Sequence, residues 1–158
     1  MAKYDVQISD YSVEGARFAI VAARFNTAIT DALLEGARAT LAEHAVPDDH
    51  VIVVQVPGAF EIPITAKRLA ASRRYEAIIA LGAVVRGGTP HFEYVAGECA
   101  RGVNRVAQDE NLPVIFGVLT TDTDEQARDR AGGKEGNKGN EAAHAALEMV
   151  TLLRRLQD

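Results

Sequence analysis

The chain of 158 residues contains a single cysteine, Cys99, which excludes an internal disulfide framework and a cysteine-based zinc site. A reducing compartment follows, and cytoplasm is the expected one. No apolar stretch approaches the ~20 residues that span a bilayer. The opening residues, MAKYDVQISDYSVEG, lack the apolar centre of a signal peptide, so no membrane role is expected. A basic excess is missing too: the formal charge is −5, and the lysines and arginines are scattered among acids. Nucleic acid is thereby excluded as a main partner, because neutralising its phosphates takes a clustered basic face. Familiar site signatures are also missing. GxGxxG does not follow the first apolar run, GGKEGNKGN lacks the GK[ST] ending of a nucleotide-binding loop, and no His, Cys and carboxylate set has metal spacing. The first strand has no acidic pair of the phospho-receiver kind, and there is no repeat, linker or low-complexity segment.

What is present suits one folded domain over residues 1–158. Apolar residues make up 47% and charged residues 25%, and a chain of this size buries roughly 68–70% of its unfolded surface without needing staples. Four nearly continuous apolar runs stand out: Arg17–Ala23, Val51–Val56, Ala77–Val85 and Pro113–Thr121. Unbroken rather than alternating apolar character is the pattern of parallel strands covered on both faces. Helical periodicity separates them. One helix is predicted from Asn26 to about Ala45, with Asn26 or Thr27 as cap and Ile29, Ala32, Leu33, Gly36, Ala37 and Leu41 inward. A second runs from about Ile62 to Arg73. A third opens at TPHFEYV, with Thr89 as cap and Pro90 in the first helical position. Thr123 and Gln126 have capping-box spacing for a short helix that Gly132 and Gly133 should end, before a loop, GGKEGNKGN. The last helix carries a core stripe of Ala142, Ala146, Met149, Val150, Leu153 and Leu156, widened by Ala145 and Leu152, with Leu147 beyond it. So wide a stripe fits a subunit contact, and it fits a deeper groove in the same subunit equally well. Residues 1–14 read as an arm or edge strand, from the weak alternation of Tyr4, Val6 and Ile8. The economical architecture is a three-layer α/β/α sandwich around a four-stranded parallel sheet.

In such a sheet, ligands gather outside the carboxyl ends of the strands. Four stretches are expected to share that rim: RFN (Arg24–Asn26), PGAFEIP (Pro57–Pro63), RGGTPHFEY (Arg86–Tyr94) and TDTDEQARDR (Thr121–Arg130). The second raises a question, since a turn needs its proline and glycine but not the adjacent Phe60 and Glu61. In the third, Gly87 and Gly88 precede a helix N-terminus whose N–H groups and dipole suit a phosphate, although a plain strand-to-helix turn has the same look. His91 in its first turn is either a proton carrier or a structural hydrogen-bonder. Arg130 and Lys138, near the last glycine-rich segment, suit phosphate oxygens or bulk water alike. His44, His50 and His144 have no clustered acids and are assigned nothing, and Cys99 within AGECARGV reads as buried packing.

Taken in order, RFN, PGAFEIP, GAVVRGGTPHFEYV and DRAGGKEGNKG resemble the lumazine synthase family over about Gly15 to Leu156. The resemblance implies a flavodoxin-like winding and a transferase of riboflavin biosynthesis. Such an enzyme condenses 5-amino-6-(D-ribitylamino)uracil with 3,4-dihydroxy-2-butanone 4-phosphate, giving 6,7-dimethyl-8-ribityllumazine, phosphate and water. It implies no metal and no organic cofactor. By the same resemblance, Phe25 stacks on the pyrimidine, the backbone of Ala59 and Phe60 lines the slot, and Glu61 accepts hydrogen bonds from ribityl hydroxyls. Ala83, Val84 and Val85 offer backbone groups to the ring's polar edge, Gly88 and Thr89 present N–H groups to phosphate, and Arg130 clasps it. His91 carries protons, Phe116 packs over the ring from an adjacent subunit, and Asn26 and Lys138 are secondary polar contacts. Glycine at position 88, where the family often has a larger residue, keeps the N–H but loosens the loop. The family assembles as pentamers, some closing into sixty-subunit shells, and the compact GGKEGNKG segment leans towards a shell. Riboflavin synthase is the protein partner so implied. A flavin- or lumazine-binding relative without catalysis is the rival reading, which retention of His91 and Arg130 disfavours; a compartment or scaffold role is compatible with an active enzyme.

Overall fold

A computed structural model of the chain describes residues 10–157. The alternating segment through Tyr4, Val6 and Ile8 lies outside them. The four apolar runs form strands β1 (Phe18–Ala23), β2 (Val51–Val56), β3 (Ala77–Val85) and β4 (Val114–Thr121). All neighbours are parallel, in the order β2-β1-β3-β4. Helices α1 (Thr27–Glu43), α2 (Ile62–Ala71), α3 (His91–Glu110) and α5 (Lys138–Leu156) alternate with the strands, and a short α4 (Asp124–Asp129) follows β4. This strand order is that of flavodoxin-like doubly wound sheets.

Two cores follow from the pleat, because alternate residues of a strand point to opposite faces. Ile79, Leu81 and Ala83 of β3 pack with Phe18 and Ile20 of β1 against α1 and α5. Ile78, Ala80 and Val84 pack with Ala19 and Val21 against α2 and α3, where Cys99 is buried. Burying each large side chain such as Phe18, Ile20 or Leu81 contributes about 1.5–3 kcal/mol relative to leaving it in water. The helix crossings rely on glycine: at Gly139 of α5 an added Cβ would lie 1.9 Å from the Leu33 carbonyl oxygen of α1.

The central strands β1 and β3 are buried along almost their whole length, as continuous apolar runs require. The edge strands differ from the expectation: β2 is half-buried over most of its length and β4 over its first three residues. An apolar edge strand that the described residues leave partly bare is an aggregation liability unless something else covers it.

Local chemistry departs from the sequence reading at several helix starts. Asn26 occupies the cap position of α1 in a left-handed conformation (φ 64°), yet its side chain does not cap. It donates instead to the Ala83 carbonyl at 2.9 Å, because that conformation turns the amide towards β3. Thr89 makes no capping bond either, and Pro90 sits one position before α3 rather than inside it. The Thr123–Gln126 capping box forms as its spacing predicts. The segment after α4 is not a loop: β5 (Ala131–Gly133) and β6 (Gly136–Asn137) make a small antiparallel hairpin. Asn137 then caps α5 by accepting from the N–H groups of Gly139 and Asn140.

The stripe on α5 is rotated from its predicted position. Leu147 is fully buried, since α5 packs against α1 as well as the sheet, whereas Leu156 is 68% exposed and Met149, Leu152 and Leu153 are only half-buried. Tyr11 ties the start of the described chain to these helices: its hydroxyl lies 2.9 Å from His144 Nδ1, and its ring meets His44 edge-on.

Candidate active site

In a sheet ordered β2-β1-β3-β4 the winding reverses direction between β1 and β3, and a crevice opens at their carboxyl ends. A cleft of about 680 Å³ lies there. The turn after β1 supplies Phe25, the turn after β2 supplies Pro57 to Glu61, and the end of β3 supplies Ala83, Val84 and Val85. Gly87, Thr89 and the first turn of α3, with His91, Phe92, Tyr94 and Val95, close the far side.

The walls combine two kinds of surface. Phe25 is 71% exposed and Tyr94 68%, so two aromatic faces stand in water at the cleft, and Phe60 adds a third. Exposed rings in such number at one crevice mark a binding surface rather than core. The polar groups are few and unpaired. Glu61 is half-buried, and its carboxylate has no hydrogen-bond partner among the described residues; the backbone on either side of it is fixed by bonds from Glu61 N–H to Gly58 O and from Thr65 Oγ1 to Glu61 O. Gly87, Gly88 and Thr89 present N–H groups that no backbone acceptor takes up among the described residues. They lead into a twenty-residue helix, where such groups and the dipole favour an anion. His91 stands exposed beside them without a side-chain partner among the described residues. The Ala83 carbonyl, by contrast, already accepts the Asn26 amide.

The fourth rim turn does not join this cleft. A second hollow, of about 410 Å³, runs along the open edge of β4 and is lined by Phe116, Thr120, Thr121, Arg130, Glu135, Lys138 and Glu141. Arg130 is held there by a bond from Nη1 to the Gln126 carbonyl at 3.0 Å, and its own carbonyl accepts from Lys138 N–H at 2.8 Å. Among the expected site residues, the structure therefore gathers Phe25, Ala59, Phe60, Glu61, Ala83, Val84, Val85, Thr89 and His91 at one cleft, with Asn26 and Gly88 at its margin. Phe116, Arg130 and Lys138 collect at the other.

Comparison with known proteins places most of the chain. The family model described as 6,7-dimethyl-8-ribityllumazine synthase matches residues 15–154. The chain belongs to that family. A relative from Halorhodospira halophila (strain DSM 244 / SL1), named 6,7-dimethyl-8-ribityllumazine synthase, is 53% identical over 146 residues, covering 92% of this chain and 94% of the relative. In this member of the family, the PGAFEIP and TPHFEY segments both line one crevice.

Tyr94 and Arg86 are among the rim residues that reading the sequence left without a role, as are Phe92 and Val95. Tyr94 follows His91 by three positions and so shares its face of α3, a spacing that marks it once His91 is suspected. No sequence signal marks Arg86, whose partners are Glu93 and Asp122 on separate elements.

Proposed function

We propose that this chain condenses 5-amino-6-(D-ribitylamino)uracil with 3,4-dihydroxy-2-butanone 4-phosphate to give 6,7-dimethyl-8-ribityllumazine, phosphate and water, as its family does. The observation that carries the reading is the make-up of the cleft at the strand switch: exposed Phe25 next to the unpaired Glu61 carboxylate, across from unpaired N–H groups and His91. A flat heterocycle needs an apolar face, a polyol needs acceptors, and a phosphate needs donors. In this reading Phe25 stacks on the pyrimidine, Ala59 and Phe60 form the slot, and Glu61 receives the ribityl hydroxyls. Backbone groups of Ala83 to Val85 meet the ring's polar edge, with Asn26 contributing mainly by fixing Ala83.

The chemistry begins with attack of the arylamine on the ketone. The carbinolamine loses water to an imine, phosphate departs, and the second nitrogen closes the ring with loss of a further water. Each step is proton transfer between two reactants held together, so orientation supplies most of the rate. His91 delivers and removes protons, a contribution of about 10²–10⁴-fold. Gly88 and Thr89 N–H groups hold the phosphate as it leaves.

Arg130, Lys138 and Phe116 line a different hollow of the same chain, so in this reading they serve the cleft of a neighbouring subunit. A ring of five copies, each giving one half-site to either neighbour, uses both hollows, and the half-bare apolar face of Met149, Leu152, Leu153 and Leu156 supports such contacts. We take the assembly to be pentameric or a shell of pentamers, the single domain to span residues 1–158, the compartment to be cytoplasmic and riboflavin synthase to be the consuming partner. No helix among the described residues is long and apolar enough to cross a membrane.

The test is direct: purified protein is mixed with both substrates, and lumazine absorbance and released phosphate are followed together. Equal amounts of both products are expected. A yellow protein that makes neither would overturn the enzyme in favour of a flavin binder, and light scattering separates pentamer from shell.

A further inference from the structure

The residues between β3 and His91 raise a mechanical question. Neither Gly87 nor Gly88 is braced, since a side-chain atom added at either would meet nothing within 4 Å. The helix they lead into has no side-chain cap. A proton carrier at the end of such a loop would drift, and a displacement of about 1 Å at a reacting centre costs on the order of 10²-fold in rate.

Arg86 is the one side chain of this loop with a set of fixed partners. Its backbone N–H donates to the Thr121 carbonyl at 2.8 Å, extending the β3–β4 ladder by one residue. Its guanidinium then reaches both α3 and the turn after β4. Nη1 donates to Glu93 Oε1 at 2.6 Å, Nε donates to Asp122 Oδ1 at 2.9 Å, and the guanidinium carbon stands 4.4 Å from the centre of the Phe92 ring. Glu93 and Phe92 are the two residues that follow His91. Asp122 is itself anchored, because its N–H donates at 2.8 Å to Gln126 Oε1, the same oxygen that closes the α4 capping box. The planar fork suits this triple role, as a lysine ammonium would not.

We propose that Arg86 is a positioning residue for the condensation, clamping the glycine loop from both ends so that His91 addresses the cleft. This rests on the assignment of His91 as the proton carrier. Surface ion pairs add little to folding stability, and all three partners here are exposed by about half. The clamp therefore acts on geometry, and its loss shows in turnover rather than in stability.

The experiment compares kcat, KM for ribitylaminouracil and the urea unfolding midpoint in wild type, Arg86→Ala, His91→Ala and the double variant. Arg86→Ala is expected to lower kcat by roughly 10- to 100-fold, with KM for the pyrimidine and the unfolding midpoint close to wild type. In the His91→Ala background the same change should cost no more than about twofold, because the group it positions is gone. A Glu93→Gln/Asp122→Asn variant, which leaves Arg86 in place, should reproduce the loss. Losses at Arg86 and His91 that multiply would overturn the inference, as would wild-type kcat in Arg86→Ala or in the Glu93/Asp122 variant. A slow His91→Ala with a fast Arg86→Ala removes the clamp alone; His91→Ala at the wild-type rate removes the catalytic reading and the clamp with it.

Discussion

If each active site is shared between neighbours, two crippled subunits should repair each other. His91 lines the cleft at the β1–β3 switch, and Arg130 lines the hollow on the outer edge of β4. A heterologous ring contact joins one surface of a subunit to a different surface of the next. A His91→Ala subunit then still offers an intact Arg130 half-site, and an Arg130→Ala subunit an intact His91 half-site. When the two are unfolded together in equal amounts and reassembled at random, the two halves of a site are drawn independently, so about a quarter of sites receive both good halves. Each parent oligomer has none, and His91→Ala alone should retain about 1% of wild-type turnover or less. With butanone phosphate held below the wild-type KM, where the Arg130→Ala parent is also slow, the mixture should therefore reach roughly a quarter of wild-type activity by lumazine absorbance, with separately reassembled parents added together as the control. A mixture no faster than that control would place both residues in one chain's site and refute the shared arrangement.

Arg130→Ala should separate the two substrates. Losing one charge-assisted bond costs about 1.5–3 kcal/mol, which raises KM for butanone phosphate roughly ten- to hundredfold, while the dissociation constant of a ribityl pyrimidine analogue stays put; equal losses in both would argue against the clasp. At Gly88 there is open space for a methyl group and φ lies outside the left-handed region, so Gly88→Ala should raise stability by about 0.4–1 kcal/mol through the unfolded chain, read from urea unfolding. Glu110, buried between α2 and α3, accepts Lys67 Nζ at 2.6 Å and Arg73 Nη2 at 2.9 Å. The Lys67 hydrogen bond, more than the charges of Lys67 and Arg73, holds its carboxyl below the ordinary value. A depressed carboxylate pKa contributes stability above its unfolded value and loses it as pH falls through the folded one. Thermal unfolding of wild type should thus fall away on acidification below about pH 4.3, and Glu110→Gln should flatten that limb. Burial pushes the Cys99 thiol up to about 11, so the folded protein should resist thiol reagents at neutral pH and react stoichiometrically once unfolded in urea.

The sheet was legible because continuous apolar runs leave little choice: Val51–Val56 and Ala77–Val85 coincide with their strands residue for residue. The Thr123–Gln126 box was legible because it closes within four residues. What failed depended on partners distant in sequence. Asn26 abandons its cap for a carbonyl on β3, fifty-seven residues away, and a cap propensity cannot see that alternative. Leu147 is buried because α1 lies against a second side of α5, so a stripe counted for packing on a sheet alone falls one turn of angle short. The glycine-rich segment misled for a different reason. Gly132 takes positive φ at an irregularity within β5 and Gly136 does so where β6 begins, just past the turn, a use of glycine that looks the same in sequence as a loop.

The division of the site into two hollows has a topological cause. The sheet ends at β4, and the described chain places no strand on its outer edge. The residues that follow β4 therefore turn outward, and Arg130 and Lys138 are fastened there by the backbone bond between them. The cleft at the switch, meanwhile, has aromatic faces and anion-seeking N–H groups but no arginine among its lining residues, and Arg86 on its rim is committed to Glu93 and Asp122. In the proposed reading a single chain thus holds the stacking surface and the proton carrier on one flank and the phosphate grip on the other. Catalysis by positioning demands that these meet within ångströms, and a flat sheet cannot fold one flank onto the other. Closing a ring of copies would, so the proposed reading makes assembly a requirement of the reaction rather than an accessory to it; dilution to monomers should abolish turnover while leaving Phe25 and Glu61 able to bind the pyrimidine.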